Sequence, residues 1–371
     1  MARRIGRRRR TNTRLFPTSK RIEGILGGGD RDPVAHALRL LTPLGVPPYR
    51  LANGVRQSLY TAGVLPARDL GRPTISVGNL TVGGTGKTPM VIEVARRLRD
   101  AGRQPAVLLR GYEPAGLESK QGSDEAAELR GSLGGDIPVM ANSSRVTGAA
   151  EVLEQRPDVD TFVLDDGFQH RRAKRDLDLV LLDASRPFGF GHCLPRGLMR
   201  EPPKALRRAD AVVVTRCNRA TPEQLAELDA RVEQLTGRPP VAHCRHRWAE
   251  LRCGIEHRPV EKLAEKTVLG CAGLANPTDF EATLRAVAGR CVGVLTFPDH
   301  YRYSRHELGG VFNTAAERGA DAVVITEKDW VKWRRYAGGV KSRVPVYRPV
   351  VQMAFVDGEA EFAALLREAA P

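Results

Sequence analysis

Short apolar runs alternate with amphipathic stretches along most of this chain. TISVG (74–78), PAVLL (105–109), TFVLD (161–165), DLVLLD (178–183) and AVVVT (211–215) have the length of strands. They are also too uniformly apolar to lie at a surface. Helical spacing appears between several of them, at 87–99 and 144–155. Buried strands separated by helices imply a parallel sheet covered on both faces. A polar stretch marked by Pro and Gly, LTGRPPVAHCRHRWAEL (235–251), then interrupts the pattern. Beyond it a second set alternates: strand 267–272, helix 276–288, strand 292–297, helix 304–318, strand 321–326. The expected organisation is a tail (1–33), a first α/β domain (34–240), and a smaller α/β domain with its linker (241–371). The last strand-like run, VPVYRPVVQMAF (344–355), is expected to pair back toward the linker.

Charge changes this picture at one end only. Residues 1–21 hold nine Lys and Arg and no acid, out of a formal net charge of +15 over 371 residues. So few apolar residues beside so much charge predict a disordered tail. An anionic membrane surface would attract it, and so would nucleic acid; a dispensable solvated tail is the plain alternative. No apolar run of signal-peptide length follows the arginines. The nearest approach to a membrane span, 34–65, contains Pro43, Pro47 and Pro48 together with Arg39, Arg50 and Arg56. It reads as two short amphipathic helices, either dipping into a bilayer interface or packing on the domain. The six cysteines include no C-x-x-C pair, which predicts reduced thiols. His243, Cys244, His246, Cys253 and His257 crowd together, at spacings that fit no zinc motif well.

The chemistry concentrates after the first strand, in SVGNLTVGGTGKTP (76–89). Its Gly86-Lys87-Thr88 ending is that of a phosphate-binding loop, although Thr81 stands where the first glycine normally falls. Gly83, Gly84 and Gly86 let the backbone approach phosphate oxygens, with the N–H groups of Thr85 and its neighbours and the helix N-terminus facing the anion. In this reading Lys87 reaches the β- and γ-phosphates and the Thr88 hydroxyl binds Mg²⁺; a chance glycine turn is the alternative. Asp165 ends the strand 161–165 and Asp166 follows it, where a kinase holds its cation, with Gln169 and His170 close behind. Asp183, ending the next strand, competes for that role. Arg110 and Tyr112 leave the second strand on the ligand-facing side of an open α/β sheet. Asp124 and Glu125 open a helical stretch, and LPRGLMREP (194–202) offers Arg196, Arg200 and Glu201 for gripping an anionic group. His300 follows the strand 292–297. A GTPase would need a guanine-reading N/T-K-x-D, and the run 326–329 has its lysine one place late. No nucleic-acid-binding fold motif appears, so nucleic acid is not an expected partner.

Taken in order, VGNLTVGGTGKTP, RGY, the Asp124-Glu125 pair, VLDDGFQH, Asp183, LPRGLMRE, PDHY and TEKD resemble the tetraacyldisaccharide 4′-kinase family, the lipid A kinases of Gram-negative bacteria. The likeness runs from about residue 40 to 332 and includes Thr81. It implies a P-loop NTPase-type parallel sheet sandwich with a second, smaller α/β domain and an active-site cleft between them. It implies transfer of the ATP γ-phosphoryl to the 4′-hydroxyl of a tetraacylated glucosamine disaccharide 1-phosphate, at the cytoplasmic face of the inner membrane. Lys87 and Thr88 would bind ATP–Mg²⁺, within a loop of Thr81, Gly83, Gly84, Thr85 and Gly86. Asp124 would be the base, oriented by His300. Asp165, Asp166, Gln169, His170 and Glu201 would line the metal and phosphoryl site, with Thr88, Asp166 and Glu201 as metal ligands. Arg110, Tyr112, Glu125 and Arg200 would bind substrate or support the site. Three departures stand out: Leu109 where the family usually has serine, SDEA (123–126) for GDEP, and an N-terminal segment that is basic and interrupted by proline.

Overall fold

A computed structural model describes residues 24–29, 32–111, 124–274, 277–298, 301–336 and 344–371. The first parallel strands are β1 (Thr74–Asn79), β2 (Pro105–Arg110), β3 (Val139–Asn142), β4 (Thr161–Asp165), β5 (Leu177–Asp183) and β6 (Ala211–Thr215). Every residue of β1, β4, β5 and β6 is buried, as their unbroken apolar runs require. Helices α2 (Lys87–Asp100), α3 (Asp124–Leu133), α4 (Arg145–Gln155) and α5 (Pro222–Thr236) cover the two faces; a capping box of Thr221 and Gln224 opens α5. The order β6-β5-β1-β4-β2-β3 puts β1 between β4 and β5, so the carboxylates ending those strands, Asp165 and Asp183, flank the loop leaving β1.

The polar stretch after 240 is not a loop. It becomes β7 (Ala242–Cys253), which starts parallel to β6 and then runs antiparallel to β12 (Val346–Asp357). A short β8 (Glu256–Arg258) folds back on β7. β12 in turn pairs with β11 (Ala322–Ile325), followed by β9 (Thr267–Ala272) and β10 (Arg290–Thr296). The run 344–355 therefore does pair with the linker, and one sheet continues through both halves. Helices α6 (Thr278–Val287), α7 (Arg305–Glu317), α8 (Glu327–Trp333) and α9 (Glu359–Ala369) belong to the second half. Separate apolar clusters pack around each half: Val77, Val91, Val163 and Leu179 in the first, Leu269, Val311, Val323 and Trp333 in the second.

The N-terminal segment differs from expectation. Residues Pro33–Thr61 form one helix, α1, which passes through Pro43, Pro47 and Pro48 without breaking. Each proline removes a backbone hydrogen bond, and docking helps to hold the helix together. The Tyr49 hydroxyl (3.0 Å) and the Asn53 amide (3.4 Å) donate to the Arg200 carbonyl, and Arg56 donates to the carbonyl of Gln169 (3.3 Å). Ala35 alone is fully buried in α1, while Leu40, Leu41, Leu44 and Leu51 are each more than 60% exposed. No described helix is long and apolar enough to cross a membrane.

Candidate active site

The loop after β1 shows why threonine is accepted in place of the first glycine. Thr81 is buried in an isolated antiparallel bridge with Met199; Val82 N–H donates to Leu198 C=O (2.8 Å), and Arg200 N–H donates to Leu80 C=O (2.7 Å). A side chain is tolerated there because left-handed backbone is confined to two later positions, Gly83 (φ 115°) and Gly86 (φ 90°). Gly86 caps α2, which presents its N-terminal N–H groups to the loop. The loop is tied inward as well: Asn79 Nδ2 donates to Thr85 Oγ1 (2.8 Å), and Thr215 Oγ1 donates to the Thr85 carbonyl (2.9 Å).

Lys87 lies between two acceptors, 3.3 Å from Asn79 Oδ1 and 3.6 Å from Asp166 Oδ1. Arg200 Nη1 reaches both oxygens of Asp166 (2.9 and 2.7 Å) and Gln169 Oε1 (3.2 Å), and Gln169 Nε2 donates to the Asn79 carbonyl (2.9 Å). Asp166 takes up a left-handed conformation (φ 52°) that a non-glycine residue adopts only at a cost, of order 1 kcal/mol. Burial works against its charge, but Lys87 and Arg200 outweigh that and hold its carboxyl below the usual range.

Its neighbour behaves oppositely. Asp165 is 7% exposed, and burial, with Asp166 and Glu125 adding to it against Lys87, pushes its pKa up to about 6. Its Oδ1 has no hydrogen-bond partner, although its backbone carbonyl accepts from Arg145 (2.9 Å). A buried carboxylate oxygen without a donor, near the lysine of a phosphate loop, suits a divalent cation. Since the folded-state pKa is raised, stability is lost as pH rises through about 6. Asp165→Asn is therefore expected to raise the Tm of the metal-free protein at pH 8 by about 2 °C or more, with the gain fading at pH 5. Calorimetric scans at the two pH values check this, and an unchanged Tm at pH 8 would count against a strained carboxylate.

Glu201 is placed differently from the other candidate ligands. It is buried with both oxygens engaged by Arg208 (2.9 and 3.1 Å), which commits its carboxylate to the turn 203–208. Among the described residues no three His, Cys, Asp or Glu side chains form a metal-binding group; Mg²⁺ commonly needs only one or two carboxylates plus phosphate and water. The His/Cys crowd of the linker is likewise spread along β7 and β8, with His243 bonded to Asp229 and Asp357, and His257 to Glu250. Asp183 holds Ser185 and pairs with Arg216. His170 has a buried, unpartnered Nε2, and burial followed by Arg145 and Arg175 lowers its pKa to about 4.

Asp124 opens α3, with Glu125 beside it. Lys332, on α8 in the other half of the chain, lies with its Nζ 3.3 Å from Asp124 Oδ2 and its side chain only 7% exposed. Sequence reading missed this lysine, because nothing in the run after TEKD marks it as polar and buried. Further along α3, Glu128 is pushed up to about 7, by burial against Lys328 and then by Glu327 and Glu125. Arg110 ends β2 at an exposed position, and Tyr112 and His300 lie outside the described residues.

A glycine loop between a buried strand and a helix, with a lysine, paired carboxylates and an arginine at its mouth, defines a P-loop phosphotransferase. The comparisons narrow this. Residues 37–370 match the family described as tetraacyldisaccharide-1-P 4′-kinase. A tetraacyldisaccharide 4′-kinase of Anaeromyxobacter dehalogenans (strain 2CP-C) is 44% identical over 299 residues, covering 77% of this chain and 79% of its own. One from Geobacter metallireducens is 38% identical over 337 residues, covering 86% and 95%. The crystal structure of LpxK from Aquifex aeolicus in complex with ATP superposes with a TM-score of 0.70 at 27% identity, covering 90% of this chain and all of that one. The chain belongs to the tetraacyldisaccharide 4′-kinase family and is an ATP-dependent kinase of lipid A biosynthesis.

Proposed function

We propose that this chain moves the γ-phosphoryl of ATP to the 4′-hydroxyl of a tetraacylated disaccharide 1-phosphate with Asp124 as the base. The cluster of Lys87, Asp166, Arg200 and Gln169 at the mouth of the phosphate loop is the observation that supports this reading most directly. Asp124 takes the hydroxyl proton as the oxygen attacks phosphorus. The bond from the γ-phosphorus to the bridging oxygen breaks, and ADP leaves with its charge neutralised by Lys87 and the loop N–H groups. Arg200 and Gln169 hold Asp166 in place. Thr88, Asp165 and Asp166 would hold a Mg²⁺ that arrives with ATP, whose contribution is neutralisation of phosphate charge. Incubating the protein with [γ-³²P]ATP, Mg²⁺ and the disaccharide 1-phosphate in detergent tests the reading; an unlabelled lipid sinks it.

The lipid substrate gives the exposed face of α1 a purpose. Its leucines lie on a helix docked directly onto Gln169 and Arg200, so a bilayer meeting that face would bring acyl chains close to the phosphoryl site. We place the enzyme peripherally on the inner, cytoplasmic membrane surface. Replacing Leu40, Leu44 and Leu51 together with aspartate is expected to weaken co-sedimentation with anionic phosphatidylglycerol vesicles by at least about tenfold, from the apolar area withdrawn. ATP affinity should stay within about twofold. Undiminished vesicle binding would show that another surface meets the membrane.

A further inference from the structure

Far from the phosphate loop, the two halves of the chain enclose an open cavity of about 560 Å³. The first half supplies Arg96 and Arg99 near the end of α2, and residues 131–134 at the end of α3. The second supplies Arg252 from β7, His257 from β8 and Arg348 from β12. Arg96 stands roughly 13 Å beyond Lys87 along the axis of α2, so the cavity is separate from the site at the loop.

Its lining holds more positive charge than the protein balances. Arg252 Nη1 donates to the Gly131 carbonyl (2.7 Å) and Arg96 Nη2 to the Ser132 carbonyl (2.9 Å). Capping the end of α3 in this way uses one nitrogen of each and leaves both charges unmatched. The acids nearby are already engaged: Glu93 by Arg97, Glu250 by His257, Asp100 by Arg99 and Glu327 by Arg348. Burial, then Arg252, lowers the pKa of Arg96, as crowded cations require. Arg348 is 6% exposed and held on three sides, by Glu327 (3.0 Å), the Gly254 carbonyl (2.7 Å) and the Trp330 ring (4.7 Å to its centroid). The Nε atoms of Arg252 and Arg348 are buried without an acceptor, so the cluster carries donors the protein does not satisfy.

We propose that this cavity is a second anion site, which takes a phosphate-bearing anion of about diphosphate size between Arg96 and Arg252, with Arg99 at its rim. Guanidinium forks meet phosphate oxygens in pairs, and the volume is that of a small-ligand site. The anion comes from solution and not from a lipid headgroup, because α1 docks on the loop side of the molecule, at Arg200 and Gln169. Both halves would grip it. It would thereby tighten a junction in which Glu327 at the start of α8 bonds Arg348, and Lys332 further along bonds Asp124 at the start of α3. The assignment does not depend on the role given to the phosphate loop.

Calorimetric titration of the full chain with inorganic pyrophosphate, in buffer free of divalent cations, tests it. Wild-type protein is expected to bind pyrophosphate at two separable sites, of which Lys87→Met loses one and keeps the other. Arg96→Gln with Arg252→Gln should weaken the second site by roughly tenfold or more and leave the first within about twofold. Arg99→Gln removes a guanidinium bonded to Asp100 and not to α3, and should weaken the second site by about threefold. A wild-type chain with one site, abolished by Lys87→Met, would overturn the proposal. So would loss in the double variant beside unchanged affinity in Arg99→Gln, which would reduce Arg96 and Arg252 to helix caps. One wild-type site that Lys87→Met spares and the double variant abolishes would uphold the proposal and sink the phosphate-loop reading instead.

Discussion

Asp124→Ala is expected to lower kcat by about three orders of magnitude, within the range for loss of a general base, while ATP affinity stays within about twofold. The two readouts separate because Asp124 belongs to α3 and not to the loop that grips phosphate, and it pairs with Lys332 from the second half of the chain. A buried ammonium 3.3 Å from a carboxylate stabilises its charged form. Lys332→Met is therefore expected to move the acid limb of the rate profile to higher pH, with much of the loss recovered near pH 9. Steady-state rates from pH 5 to 9 check both variants. Should Asp124→Ala keep more than a tenth of wild-type turnover, the base lies elsewhere. A Lys332→Met defect of equal size at every pH would mark that lysine as packing only.

Pattern reading succeeded where local rules and tertiary structure agree. Fully buried parallel strands cannot alternate, so TISVG and AVVVT were visible as apolar runs, and the strand expected at 211–215 has those same limits in the structure. It failed where the environment, not the local sequence, decides. In β7, buried, half-buried and exposed positions are mixed because it leaves one core, crosses to another and is paired along its length by β12. Its arginines and histidines therefore read as linker. The prolines of α1 predict a break, yet docking onto Arg200 and Gln169 holds one helix. The same division holds for the site. Lys87, Asp165, Asp166, Gln169 and Arg200 stand in recognisable runs and converge on one loop. Lys332 and Asn79 matter through distant partners, which spacing along the chain cannot express.

Lys87→Met is the second large effect: kcat/KM for ATP is expected to fall by about 10²–10³, the usual loss of one preorganised charge stabiliser. Protein groups alone hold this ammonium in place, with Asn79 Oδ1 at 3.3 Å and Asp166 Oδ1 at 3.6 Å, and Asp166 is fixed in turn by Arg200. The charge thus needs little reorganisation as the β–γ bridge breaks, and that is where its value lies. Lys87→Arg should recover little, because a planar guanidinium cannot occupy the point position between those acceptors. Tripolyphosphate affinity should fall in both variants, whereas Asp124→Ala leaves it intact. Initial rates at several ATP concentrations, together with calorimetry, give all these quantities. If Lys87→Met retained kcat/KM within about fivefold, the loop after β1 would not be where the γ-phosphoryl is held.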